Sequence, residues 1–236
     1  MMFKIGSAVV GILLMASSVS FAQDNAFDPQ NPQIDAEQLK CMVMNMYHEA
    51  RGESDKGMIA VGYVTLNRVK SKLFPDTICD VVHQAVYWDN GVPKRHLCQF
   101  SWWCDGKDDK ADEMMELRAA IINHSLEAYK LDIRVDALDI EIEKADAKHK
   151  PGLRKAKLYI QKKIIKLKDR IIQLRARLAV WLRAVDLAEK VILKEVKDPT
   201  HGALYYHADY VTPSWVTKFR ETGVIGRHIF YALRKS

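Results

Sequence analysis

The stretch IQKKIIKLKDRIIQLRARLAVWLRAVDLAEKVI, residues 160–192, places apolar side chains at Ile160, Ile164, Leu167, Ile171, Leu174, Leu178, Trp181, Val185, Ala188 and Ile192. Steps that alternate between four and three keep one side of a helix apolar over many turns. The same rhythm runs upstream through Leu117, Ile121, His124, Ala128, Leu131, Val135, Leu138, Ile142 and Ala145. Between the two runs stands Lys150-Pro151-Gly152, and proline and glycine are the poorest residues for a helix interior. Two long amphipathic helices joined by a tight link predict an antiparallel coiled-coil hairpin over residues 126–197.

The arms of this hairpin differ in charge. Between Asp132 and Asp146 six acidic residues face two basic ones, whereas residues 150–197 hold fifteen basic and four acidic residues. Opposite signs on the two arms can pair across the seam, with the surplus lysines solvated. The surplus also opens an anionic envelope surface as a partner, and the hairpin itself offers a second route, self-association with another copy of the chain.

Outward from the hairpin the pattern changes on both sides. Leu39, Met42, Val43, Met46 and Ala50 follow Asp35 at helical spacing, and Gly52 is a natural stop. A second helix beginning near Ser54 and Asp55 carries Met58, Val61, Val64, Thr65 and Val69 inward and ends before Pro75. Residues 85–110, with three of the five tryptophans and two cysteines, read as a structured loop. Beyond Asp198-Pro199 the chain is aromatic and turn-rich, the mark of short strands. The fold class predicted is mainly α (α+β), one domain formed by residues 36–125 and 198–236 and interrupted by the hairpin.

The N-terminus adds a location. Residues 1–4 are positive, residues 5–16 apolar, and Ser20 and Ala22 precede Gln23 as small residues. That is the layout of a signal peptide over residues 1–22, and its apolar run is shorter than the roughly 20 residues of a membrane span. A linker over residues 23–35 follows, and export to the periplasm or beyond is expected. The 236 residues, 48% hydrophobic and 28% charged, suit one medium domain plus an accessory element. The net charge of +6 favours an anionic partner without choosing it.

Cys41, Cys79, Cys98 and Cys104 are an even set, which in an exported chain points to disulfides. Four cysteines allow three connectivities. The short loop between Cys98 and Cys104 favours local closure, leaving Cys41 for Cys79. A zinc site is the weaker alternative, since the chain has no Cys-x-x-Cys pair and no histidine at finger spacing. No metal or other cofactor is expected.

Glu49 falls at the end of the first helix, beside Met42, Met46 and Ala50. Partial burial and the negative end of the helix dipole both favour its protonated form. A carboxylic acid that keeps its proton can protonate a leaving glycosidic oxygen. The plainer alternative is an ion pair with Arg51 or Lys56.

Several motifs now fall into one order. They are residues 41–53 (CMVMNMYHEARGE), 57–69 (GMIAVGYVTLNRV), 74–82 (FPDTICDVV), 98–106 (CQFSWWCDG), 198–207 (DPTHGALYYH) and 226–231 (GRHIFY). In sequence and order they resemble the cell wall hydrolase family of the spore cortex-lytic enzymes, across nearly the whole chain outside the signal peptide and hairpin. The resemblance implies a lysozyme-like, mostly helical catalytic domain that cleaves peptidoglycan between N-acetylmuramic acid and N-acetylglucosamine, most members acting as lytic transglycosylases. It puts the essential glutamate at Glu49. It also makes Glu53, Gln99, Phe100, Ser101, Tyr205, Tyr206 and His207 candidates for holding the glycan, with Asn67, Arg68 and His228 expected to be structural. The hairpin is the departure from the common pattern.

Three other activities stay open at this point. A muramidase-type hydrolase would need a second carboxylate. An N-acetylmuramoyl-L-alanine amidase would draw zinc ligands from histidines such as His48, His83 and His207. A non-catalytic scaffold would bind the envelope through the coiled coil. Peptidoglycan is the expected partner, and no nucleic acid.

Overall fold

The computed structural model describes residues 34–106 and 113–234, so the expected signal peptide and nearly all of the linker lie outside the described residues. Helix α1 spans Ala36–Ala50 and α2 spans Asp55–Val69. Each begins on a side-chain cap. The Asp35 carboxylate accepts hydrogen bonds from the amides of Glu37 and Gln38 at 2.8 and 3.0 Å, and the Ser54 hydroxyl accepts from that of Gly57. Such caps satisfy amides that have no partner inside the helix.

A short helix α3 (Ile78–Val82) leads into the hairpin strands β1 (Ala85–Tyr87) and β2 (Pro93–Cys98), followed by a 3-10 turn over Ser101–Cys104. Residues 85–106 are therefore more regular than the loop read from the sequence, because β1 and β2 pair antiparallel. The long helices α4 (Glu113–Lys144) and α5 (Lys150–Ile192) come next. Strands β3 (Tyr205–Ala208), β4 (Arg220–Ile225) and β5 (His228–Ala232) close the fold as an antiparallel sheet in the order β3-β5-β4. The architecture is mainly helical with two small antiparallel sheets. Among the described residues no helix is long and apolar enough to cross a membrane.

Helices α4 and α5 form the antiparallel hairpin. Leu117, Ala128 and Leu138 of α4 and Ile164, Ile171 and Leu174 of α5 are buried along its seam. Unlike charges flank them, with Lys163 2.7 Å from Glu127, Lys168 3.8 Å from Asp132, and Lys157 against Asp139. The chain reverses at residues 145–149, one turn earlier than the proline and glycine suggested. Pro151 sits instead in the first turn of α5, where its missing N–H removes no intrahelical bond. Asp146 shapes the reversal by accepting hydrogen bonds from the amides of Lys148 and His149.

The last three turns of α5 are not part of the free hairpin. Trp181, Ala184, Leu187, Ala188 and Val191 are buried in the same core as Met42, Met46, Tyr47, Met58 and Val61. Tyr47 meets the Trp181 indole edge-on, with ring centroids 4.9 Å apart. At Gly62 a Cβ would lie 2.9 Å from Met46 Sδ and 3.3 Å from Val191 Cγ1, so the glycine lets α1, α2 and α5 converge. The globular body thus reaches back into the heptad region, well short of the boundary expected at residue 197.

Two covalent links hold the body, Cys41–Cys79 and Cys98–Cys104. Closing the 38-residue span of the first restricts the unfolded chain by about 4 kcal/mol on the chain-entropy model.

Candidate active site

Glu49 lies in the last turn of α1, where the core side of the helix meets its surface. It borders a groove of about 440 Å³ whose walls come from α1, the 98–102 segment, β3 and the start of β5. The buried polar network beneath sets this geometry. Asn45, fully buried one turn before Glu49, donates to the Thr65 hydroxyl at 3.0 Å and accepts from the Trp102 indole N–H at 3.0 Å. Both ends of its amide are satisfied, so it costs the core little and pins the 3-10 turn to α1 and α2.

The opposite wall is pinned from α2. The Asn67 side chain donates to Asp198 at 3.0 Å and to the Ala203 carbonyl at 3.2 Å, and Arg68 Nε donates to the Leu204 carbonyl at 2.8 Å. These bonds deliver β3 with Tyr206 facing α1. The Tyr206 hydroxyl donates to Glu49 Oε2 at 2.9 Å.

Burial is the largest influence on Glu49 and pushes its pKa above the ordinary glutamate value. The Tyr206 hydroxyl, the Arg68 guanidinium and the Ser101 amide act in the other direction, favouring the carboxylate. Tyr206 is itself held far above the usual phenol range, by burial first and by Glu49 next, so it remains a donor. Arg68 is buried over the rings of Phe74 and Phe100, and its Nη1 has no hydrogen-bond partner among the described residues. A carboxyl group whose protonated form burial favours, with a donor and a cation beside it to hold its anion, is equipped to give a proton and to take one back.

The structure divides the glycan-holding candidates. Gln99, Ser101, Tyr206 and His207 line the groove. Phe100 does not; it is 1% exposed, packed in the main core under Arg68. Tyr205 points the other way because successive strand residues alternate between faces. It stacks on Phe219 with centroids 4.1 Å apart and packs against Phe74 and Trp215. Glu53 is not among the groove residues either. Its Oε2 accepts from the Arg227 amide at 3.3 Å in the β4–β5 turn, where Gly226, at φ +57°, leaves room that a Cβ would fill.

The histidines are mostly committed. Both ring nitrogens of His207 are engaged, with the Ala208 carbonyl at 2.9 Å and the Tyr231 hydroxyl at 3.0 Å. His83 stacks on Trp103, and His48 on Trp102. Among the described residues no three His, Cys, Asp or Glu side chains converge closely enough to hold a metal ion.

Three groove residues carried no clear sequence signal. His228, expected to be structural, lies on the groove wall edge-on to Tyr206, and burial lowers its pKa. Trp102 and Tyr210 also line it; only a strand register could have placed Tyr210 beyond Ala208. A wider hollow of about 780 Å³ lies on the far side of the Cys98–Cys104 link, lined by Trp88, Trp103, Lys94 and Arg95, with no carboxyl group among the described residues that line it.

A family model described as Cell Wall Hydrolase matches residues 52–138 and 159–231, more than half of the chain. Glu49 stands just ahead of the first matched segment. The spore cortex-lytic enzyme of Oceanobacillus iheyensis is 46% identical over 46 residues, which are 20% of this chain and 17% of that protein. The match thus spans about a sixth of that curated relative's length. Among solved structures, the catalytic domain of the germination-specific lytic transglycosylase SleB from Bacillus anthracis aligns with a TM-score of 0.42 and 18% identity, over 87% of this chain and 100% of that one. The catalytic domain of the Bacillus cereus SleB protein aligns with the same figures.

Proposed function

The chain belongs to the cell wall hydrolase family, and from that premise we propose that it is a lytic transglycosylase with Glu49 as its single acid and base. Its substrate is the glycan strand of peptidoglycan, cut between N-acetylmuramic acid and N-acetylglucosamine. The observation that carries the reading is the half-buried Glu49 carboxyl at 2.9 Å from Tyr206, on a groove whose described lining contains no other carboxyl group.

In the first half of the reaction Glu49 gives its proton to the glycosidic oxygen as the bond to the muramic acid C1 breaks. The resulting carboxylate accepts the donor from Tyr206 and feels the charge of Arg68. In the second half it takes the proton of the muramic acid 6-hydroxyl, whose oxygen closes on C1. The products are a 1,6-anhydro end and a Glu49 that is protonated again. Water does not enter the balance. A hydrolase would need a second carboxylate beside the same bond, and Glu53 is occupied at the β4–β5 turn. Gln99 and Ser101 hold the sugars, while both ring nitrogens of His207 are taken up within the sheet. The disulfides and the wall polymer together put the enzyme's work outside the cytoplasm.

The test is digestion of purified sacculi by the parent and by Glu49→Gln, with product masses recorded. Anhydro-muropeptides from the parent and a roughly 10²- to 10⁴-fold slower variant are expected, the usual range for losing a general acid–base group. Reducing-end sugars would turn the reading to a muramidase, and free stem peptides to an amidase. A folded Gln variant as fast as the parent removes Glu49 from the chemistry.

A further inference from the structure

Glu53 lies off the groove, four residues beyond Glu49 in the connection between α1 and α2, and it is held from several sides. Its amide donates to the Ala50 carbonyl at 2.9 Å, and its carbonyl accepts from Arg183 Nη2 at 2.8 Å. Its side chain crosses to the β4–β5 turn, where Oε2 accepts from the Arg227 amide at 3.3 Å. Two glycines make room for that crossing. At Gly57 a Cβ would lie 2.7 Å from Glu53 Cβ, and at Gly226 one would overlap Oε2. Gly226 has a backbone reason as well, its φ of +57°. Gly57 has none. It stands in the first turn of α2, where glycine costs stability, and what it provides is the space that Glu53 takes.

The turn that Glu53 holds is joined to both strands that wall the groove. Arg227 gives its N–H to Glu53, and its carbonyl accepts from the Asp209 amide at 2.8 Å, one residue past β3. The next residue, His228, opens β5 and pairs with Ala208 of β3. Its ring meets that of Tyr206 edge-on, with centroids 5.1 Å apart, and Tyr206 donates to Glu49. Glu49 and Tyr206 stand 157 residues apart in the chain. The Glu53 bridge ties the end of the helix that carries one to the end of the strand that carries the other.

We propose that Glu53 is a positioning residue for the reaction: through the Arg227 peptide it fixes β3 against α1 and so keeps the Tyr206 hydroxyl within reach of Glu49. The catalytic meaning of this role rests on the Glu49 reading above; its geometry does not. The role asks for a hydrogen-bond acceptor at residue 53 that is long enough to reach the turn, and not for a charge. The fold does not hang on it, because Ala60 and Val64 of α2 pack against Ile225 and Phe230 and hold the sheet in place.

Carbon NMR of the side-chain carboxyl groups reads the proton on Glu49 without using activity, in the parent and in Glu53→Ala, Glu53→Gln and Tyr206→Phe. In Glu53→Ala, Glu49 should titrate at higher pH than in the parent, the direction of Tyr206→Phe, because the donor that favours its carboxylate is no longer held in place. Loss of a neighbouring negative charge alone would move it the other way, so the sign separates the two causes. Glu53→Gln keeps the acceptor and should stay with the parent. On glycan fragments the kcat of Glu53→Ala should fall about 10-fold with KM unchanged, the lower end for one hydrogen bond to a charged group, and Gln should recover it. Glu53→Ala combined with Tyr206→Phe should be no slower than Tyr206→Phe alone, since both remove the same contact. A Glu49 titration that Glu53→Ala leaves in place, losses that multiply in the double variant, or a Gln variant as slow as the Ala one would each overturn the proposal. Should Glu49→Gln prove as fast as the parent, the Glu49 reading falls by itself, and the NMR titration still decides whether Glu53 positions Tyr206.

Discussion

Two deletions of the hairpin separate its free part from its built-in part. Removing residues 130–143 and 153–166 takes two heptads from each arm in register and leaves the reversal at 145–149 intact. Every buried residue lost, such as Leu138 and Ile164, belongs to the hairpin's own seam. The shortened protein should fold, and should cleave soluble glycan fragments at the parent's rate. Removing residues 132–194 also takes Trp181, Leu187 and Val191 out of the main core. Truncating a buried tryptophan costs about 3–5 kcal/mol and a buried leucine about 2–5. Together these two positions approach the whole stability of an ordinary domain, about 5–15 kcal/mol. The longer deletion also removes Arg183, whose Nη2 donates to the Glu53 carbonyl at 2.8 Å just beyond the end of α1. Urea unfolding followed by circular dichroism, with turnover on soluble fragments in parallel, measures both variants. A longer deletion that unfolds as cooperatively as the parent would refute the assignment of Trp181–Val191 to the core.

Two further predictions concern the proton on Glu49. Tyr206→Phe removes the donor that favours the carboxylate, so the Glu49 pKa moves further up and the alkaline limb of the kcat/KM profile shifts to higher pH. Turnover falls at the same time by about 10- to 100-fold, as expected for one lost hydrogen bond to a charged group; an unmoved limb would remove Tyr206 from the proton's control. Stability carries the opposite face of the same burial. The folded pKa of Glu49 is raised, so its favourable contribution is complete below the unfolded value and is lost as pH rises through the folded one. Glu49→Gln has no such loss. Its stability relative to the parent should therefore climb as pH rises from the ordinary glutamate value through the raised folded one, and a flat difference in denaturation midpoints would contradict the burial argument.

What the sequence made legible follows the range of each signal. Helix starts are local, and Asp35 and Ser54 cap α1 and α2 where their residue types said they would. The heptad steps are nearly local, and they yielded the hairpin and its acid–base flanks. The same steps could not say where the hairpin leaves the body, because Trp181, Ala184 and Ala188 repeat with one period whether they face another long helix or a domain core. Tyr205 and Tyr206 were read as a pair facing the cleft, yet a strand turns neighbours to opposite faces. Only the pairing of Tyr206 with Phe230, set by contacts twenty-four residues apart, decides which of the two reaches Glu49.

Phe100 and Glu53 lie off the groove for a related reason. Both stand inside segments whose neighbours do line the groove, and membership in a motif says nothing about which side chains point outward. Phe100 is buried because Arg68 needs a face to lie on, and Arg68 is buried because it must hold the Leu204 carbonyl. Glu53 is drawn away by a glycine turn 173 residues later. In each case the deciding partner is remote in the chain. For Glu49 the helical setting beside Met42, Met46 and Ala50 is written within eight residues of it; Tyr206 and Arg68, which favour its carboxylate, are not.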